Sequence, residues 1–139
     1  MKVLFDSNVH VSAAVYGGAG ARAVRVTLRA HWKVFISEFI LDETRRIIRD
    51  KFGRSPAIVN STIDTLSDVC EIVEEQRAKH HVPGDPNDTP ILRAALAAGV
   101  DYLVTRDAEL LALNPTESVR ISTLAEYLHI LEDHGYALD

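Results

Sequence analysis

Residues 88–107, DTPILRAALAAGVDYLVTRD, decide the fold: a carboxylate stands at each end, and a helix, a turn and a short buried strand fit between them. Pro90 suits the first turn of a helix, Ile91, Leu92, Ala95, Leu96 and Ala98 supply its apolar faces, and Gly99 is a stop signal. Tyr102, Leu103 and Val104 then run back along a sheet. A helix of about ten residues is roughly 15 Å long at about 1.5 Å per residue, and a strand plus turn of about five or six residues covers a similar distance at about 3.3 Å per residue. Asp88 and Asp107 are therefore expected at one sheet edge.

The stretches on either side supply further strands. Lys2-Val3-Leu4-Phe5 is a short apolar run ending at Asp6-Ser7-Asn8, as in a buried parallel strand that delivers polar groups to its carboxyl edge, where open α/β sheets bind ligands. Val9, Val11, Ala13, Ala14 and Val15 continue into a short helix that residues 17–20, GGAG, break; those glycines lack the pattern of a phosphate-binding loop and are expected to form a flexible connection. Ala21, Val24 and Leu28 form an apolar stripe, and Arg22, Arg25 and Arg29 a basic one. Val34-Phe35-Ile36 is a second strand, and Ser37 opens a helix to about Lys51. Ser55-Pro56 starts another, kept in period by Val59, Ile63, Leu66 and Cys70. Residues 74–88 read as a long loop, in which His80-His81 are solvated rather than metal-binding. Val119-Arg120-Ile121 is a last short strand, and Thr123 with Glu126 forms a capping box before a helix that turns Leu124, Tyr127, Leu128 and Leu131 inward. This alternation predicts a three-layer α/β/α fold with a mainly parallel central sheet.

Composition narrows the class. At 139 residues the chain is expected to be a single domain, 1–139. No apolar run approaches the roughly 20 residues of a membrane span, which predicts a soluble cytoplasmic protein. The lone cysteine, Cys70, excludes an internal disulfide and a cysteine-based zinc site, and is expected to pack. The net charge of -5 is unevenly divided: residues 1–54 hold ten basic side chains and five acids, and the remainder five basic and fifteen acids. A basic face for a polyanion on the N-terminal half, or two ordinary solvated helix surfaces, would both give this split.

Four acids reach the carboxyl edge in this arrangement: Asp6, Asp88, Asp107 and Glu43. Glu43 has Ile40 three residues before it and Ile47 four after, so it lies on the inward stripe, whereas Asp42 turns toward Glu38 and Arg46. An acid on an apolar stripe must be paired or coordinated; an ion pair with Arg46 is one solution and a shared cation the other. Four clustered carboxylates repel unless a cation compensates them, and all-oxygen ligands favour Mg²⁺ or Mn²⁺. Ser7, Asn8, Thr105 and Arg106 would orient ligands or meet phosphate. Each acid also has a structural reading, Asp88 as a helix cap and Asp107 as the cap of the turn before Glu109.

Over nearly its whole length the sequence resembles the PIN-domain nucleases. FDSNVHVSA (5–13) is similar to their opening strand, ISEFILDE (36–43) to the strand and helix that supply a second acid, and DPNDTPILRAALAAGVDYLVTRDAELL (85–111) to their later motifs. The resemblance places metal-binding, catalytic acids at Asp6, Glu43, Asp88 and Asp107, with Asp85 a rival to Asp88, and supporting polar groups at Asn8 and Thr105. It implies Mg²⁺- or Mn²⁺-dependent cleavage of RNA, often by homodimers, and in many bacterial members a toxin held inactive by an antitoxin. Departures from the pattern are Ser7 where Thr is common, His10 where an aliphatic residue is usual, and Glu109 where a further Asp often follows. A haloacid-dehalogenase-like phosphatase is the competing enzyme class, but its nucleophile motif wants Asp-x-Asp, and Asn8 fills the second place. A catalytically silent PIN-like RNA- or protein-binding module is the third.

Overall fold

The computed structural model of the chain describes residues 1–74 and 88–139, with the side chains of Asp88 and Thr89 outside that description. Asp85 and the His80-His81 pair therefore lie outside the described residues. In chain order the elements are β1 (Lys2–Phe5), α1 (Ser7–Val15), α2 (Gly18–Arg29), β2 (Lys33–Ser37), α3 (Glu38–Asp50), α4 (Pro56–Val69), β3 (Glu71–Val73), α5 (Asp88–Ala98), β4 (Tyr102–Val104), α6 (Ala108–Leu111), β5 (Arg120–Ser122) and α7 (Leu124–Asp133).

Local chemistry accounts for most of these boundaries. Ser37 and Ser55 cap α3 and α4 by accepting from the Ile40 and Ile58 amides, Pro56 opens α4, and the Thr123–Glu126 capping box starts α7. Gly99, at φ +63, ends α5 in a backbone conformation that a side chain would strain.

The strands form one five-stranded sheet in the order β3-β2-β1-β4-β5, and every pairing is parallel. The chain builds outward from β1 through β2 to β3, then crosses back to add β4 and β5 on the other side. Parallel strands joined by crossovers place helices on both faces of such a sheet, which gives a three-layer α/β/α architecture. Helix α7 returns to α2, where Thr27 and Tyr127 hydroxyls share a buried hydrogen bond of 2.6 Å, and the Tyr127 ring stands edge-on to Phe5 at 5.4 Å. Burial pushes the Tyr127 hydroxyl pKa up, although the Thr27 bond acts against it. Leu4, Phe5, Ile36, Leu103 and Val104 are fully enclosed at the centre of the sheet, each burial contributing about 1.5–3 kcal/mol.

Three features depart from the sequence reading. Strand β3 was not anticipated: it is three residues long, pairs on one side only, and leaves Ile72 47% exposed, so no buried alternation marks it. Residues 17–20 are a tight joint, not a flexible connection. Gly17 (φ +71) and Gly18 (φ +53) turn the chain, Gly18 already opens α2, and Gly20 lets α2 lie against the α1 backbone, where an added Cβ would sit 3.1 Å from the Val9 carbonyl oxygen and 3.2 Å from the Ala13 nitrogen. The last strand begins and ends one residue later than expected, at Arg120–Ser122. Cys70 is a buried free thiol, its pKa pushed up to about 12 by burial.

Candidate active site

The order of strand addition reverses between β1 and β4, and the carboxyl ends of these two parallel strands leave a crevice of the kind in which open α/β sheets place ligands. Asp6 follows β1 directly, and its amide donates to the Val104 carbonyl at 2.9 Å, extending the ladder by one step. Thr105 follows β4 and is tied by its amide to the Ser122 carbonyl at 3.0 Å. The register of the sheet thus brings Asp6 and Thr105 side by side, and Thr105 Oγ1 donates to Asp6 Oδ2 at 2.7 Å.

The other Asp6 oxygen, Oδ1, accepts from the Ser7 hydroxyl at 3.1 Å, and that hydroxyl also makes a very short contact with Glu43 Oε1. Ser7 therefore bridges two carboxylates. Asp6 is almost wholly buried, and this burial is the largest influence on its pKa, raising it. The Thr105 and Ser7 hydrogen bonds act in the opposite direction, and the nearby charge of Glu43 raises the pKa further.

Helix α3 delivers Glu43 because its cap, Ser37, ends β2 at the same edge. The side chain of Glu43 is 16% exposed, whereas that of Asp42 is 67% exposed and pairs with Arg45 at 2.5 Å. Helical periodicity separates the two acids as expected, although Asp42 finds Arg45 rather than Arg46. Arg46 instead lies 3.6 Å from Glu43 Oε2, with its own side chain 62% exposed. At that distance and exposure the ion pair is a weak, salt-screened contact. Glu43 is shared between Ser7 inside and Arg46 outside.

Asp107 is coupled to the same network through the backbone, its amide donating to Thr105 Oγ1 at 3.1 Å. Its Oδ1 accepts from the Glu109 and Leu110 amides at 2.8 and 3.1 Å and so caps α6. Asn8 and Arg106 are exposed and line the same two grooves beside the crevice. Asp88 opens α5, but its side chain lies outside the described residues. Arg25 and Arg29, two of the three arginines of the basic stripe, both hold Asp139, at 3.2 and 3.3 Å, and Arg29 also donates to the Ala137 carbonyl.

Among the described residues no three His, Cys, Asp or Glu side chains converge closely enough to hold an ion. The described donors nonetheless fit a hard cation. Asp6 and Glu43 supply oxygens only, Asp6 is destabilised as an anion by burial and by its neighbour, and Mg²⁺ is commonly held by one or two carboxylates plus water. Sequence reasoning missed Ser122, whose buried hydroxyl has no partner among the described residues and which ends β5 next to Thr105. Its position at a strand end was the available signal.

Comparison with known proteins places this architecture. The chain belongs to the PIN-domain family, whose PIN domain model matches residues 2–109. No curated protein matches it in sequence. Among solved structures, it is similar to VapBC2 from Rickettsia felis, crystallised bound to a DNA fragment from their promoter, with a TM-score of 0.65 and 17% identity over 88% of this chain and 98% of that one. It is also similar to PAE2754 from Pyrobaculum aerophilum, with a TM-score of 0.61 and 17% identity over 96% of this chain and 99% of the other.

Proposed function

We propose that this chain, residues 1–139 as one PIN-like domain, is a Mg²⁺- or Mn²⁺-dependent endoribonuclease. We further propose that it is the toxin of a toxin–antitoxin pair, working in the cytoplasm as a homodimer. The observation that carries the nuclease reading is the buried Asp6 carboxylate at the switch point of the sheet, joined through Ser7 to Glu43. Asp6 and Glu43 would hold the ion, with Asp88 and Asp107 completing the acid set. When bound, the ion supplies a more acidic water and offsets charge building on phosphodiester oxygens.

The protein's own groups have separable roles in this reading. Thr105 and Ser7 fix both oxygens of Asp6 and favour its charged form against the burial that opposes it. Asn8 and Arg106, exposed at the crevice mouth, would orient the flanking phosphates. The toxin role rests on likeness to VapBC2, a protein solved with promoter DNA, and the homodimer on the family resemblance. No helix among the described residues is long and apolar enough to cross a membrane. Arg22, Arg25 and Arg29 are retained as a peripheral RNA contact, in which phosphate would have to displace Asp139 from Arg25 and Arg29.

Single-turnover cleavage of single-stranded RNA, with Mg²⁺ or Mn²⁺ and with EDTA, tests the proposal. Cleavage that needs the ion and is lost in Asp6→Asn is the expected result; metal-independent cleavage, or none, would refute it. A catalytically silent RNA-binding module is the second reading, favoured by the use of one Asp107 oxygen as a helix cap. RNA binding without ion-dependent cleavage in the same assay would select it.

A further inference from the structure

A groove leads away from the acids between α1 and α3. The two helices leave the carboxyl edge side by side: Ser7 meets Glu43, Val11 packs with Ile48, and Tyr16, just past α1, meets Phe52, just past α3. The groove has a volume of about 300 Å³; Asn8, Ser12 and Tyr16 line one wall, Lys51 and Phe52 the other, and Arg106 reaches in at the acid end. From Asn8 to Tyr16 is roughly 12 Å along the helix axis.

The far end of the groove is an aromatic platform with a cation beside it. Tyr16 is 73% exposed, the most open large hydrophobic side chain among those described, and its ring is perpendicular to Phe52 at a centroid distance of 5.8 Å. Phe52 is itself held from outside, with the Lys51 ammonium 5.6 Å from its ring centre and the Arg54 guanidinium donating to its carbonyl at 3.3 Å. Lys51 and Arg106 have no ion pair among the described residues, in contrast to Arg25 and Arg29 on α2. Cations at both ends of a groove, with an open aromatic face at one of them, match the alternating phosphates and bases of a single strand.

We propose that this groove binds the RNA strand next to the cleavage site, with a base stacked on Tyr16 and phosphates met by Lys51 and Arg106. The inference rests on the nuclease reading above. Charge favours RNA over a second copy of the chain, because a two-fold contact centred here would bring Lys51 and Arg106 of both copies together. An apolar partner helix would bury the same two cations without partners.

The test uses the full chain in EDTA and a single-stranded RNA oligonucleotide carrying the fluorescent base 2-aminopurine. Tyr16→Ala should weaken binding roughly 5- to 100-fold and abolish the stacking-induced fluorescence change, and Tyr16→Phe should retain both. Lys51→Gln should lower the slope of log affinity against log salt by about one. If wild-type protein cuts RNA in Mg²⁺ or Mn²⁺ while Tyr16→Ala binds as tightly with the fluorescence change intact, this inference alone fails. Wild-type protein that neither binds nor cuts RNA overturns the nuclease reading and the inference together. Normal RNA binding by Tyr16→Ala, with a shift from dimer to monomer in sedimentation, assigns the groove to a second copy and also overturns it.

Discussion

Helix α1 has a cleft on each flank, and the two differ in chemistry. Toward α3, the residues at four-residue spacing, Asn8, Ser12 and then Tyr16, make a polar line that continues from the acids. Toward α2 and α4, a larger cleft of about 480 Å³ is lined by Ala13, Ala14, Val24, Leu28 and Leu66, with His10 at its wall and Arg25 as its charged rim residue. His10 is 2% exposed, stands edge-on to Phe5 at 5.8 Å, and has no partner for either ring nitrogen among the described residues. Burial lowers its pKa to about 4. The comparison teaches that one short helix can present a polar flank on one side and an apolar flank on the other. Its small residues leave room on both sides, and His10, one of the three departures from the family pattern, lies on the apolar flank.

The largest expected effect is on the polar flank. Glu43→Gln should reduce RNA cleavage by more than the roughly 10- to 100-fold that outer-shell partners of a metal site carry, whereas Asp42→Asn, one residue away but exposed, should leave it near wild type. Equal single-turnover rates for the two variants would remove Glu43 from the chemistry and leave it as a partner of Arg46.

On the apolar flank the readout is stability against pH. Above pH 6.5, the ordinary histidine value, His10 is neutral in both states and its contribution is fully present. Between about 6.5 and about 4 the unfolded chain takes up a proton that the folded chain refuses, so stability falls as pH falls, by on the order of 3 kcal/mol in all. Urea titrations across this range should show that loss, and His10→Leu should flatten it and raise stability, because an apolar side chain leaves no unpaired nitrogen. A pH dependence identical in the two proteins would mean that His10 is hydrated or paired in solution.

The joint between the flanks is the next target. Gly20→Ala gains about 1 kcal/mol of helix propensity, but its Cβ would press on the backbone of α1 at Val9 and Ala13. A net destabilisation of about 1 kcal/mol is expected, within the usual cost of overpacking. A stabilised variant would show that α1 can shift, and that the two clefts are less rigidly separated.

The smallest effect concerns Asp139, which holds Arg25 and Arg29 at the apolar rim. Asp139→Asn should leave the melting temperature essentially unchanged, because the groups are exposed. If the α2 arginines also meet RNA, their release should tighten binding and steepen its salt dependence. Unchanged RNA binding would restrict the strand to the α1–α3 side.

The contrast between the flanks also marks where the sequence was informative. Ser37, Pro56 and the Thr123–Glu126 pair act on backbone groups a few residues away, so their effect is visible in the chain itself. The Glu43 and Asp42 distinction was legible for the same reason, since helical period alone turns one inward. Strand β3 was hidden because its pairing with β2 is its main support and its side chains stay largely exposed. The line Asn8, Ser12 and Tyr16 gave no signal because polar residues at that spacing acquire meaning only from what lies opposite, here Lys51 and Phe52.

By itself the sequence determined the alternation of strands and helices apart from β3, most of the caps, and the place of Asp6 directly after the first strand, because each depends on interactions within a few residues. Tertiary structure alone decided that Ser7 joins Asp6 to Glu43, that Thr105 holds the other Asp6 oxygen, that Asp139 occupies Arg25 and Arg29, and that a glycine joint brings α2 against α1. These contacts link residues as far as 114 positions apart, and their geometry is set by sheet register and helix packing, which no local pattern encodes.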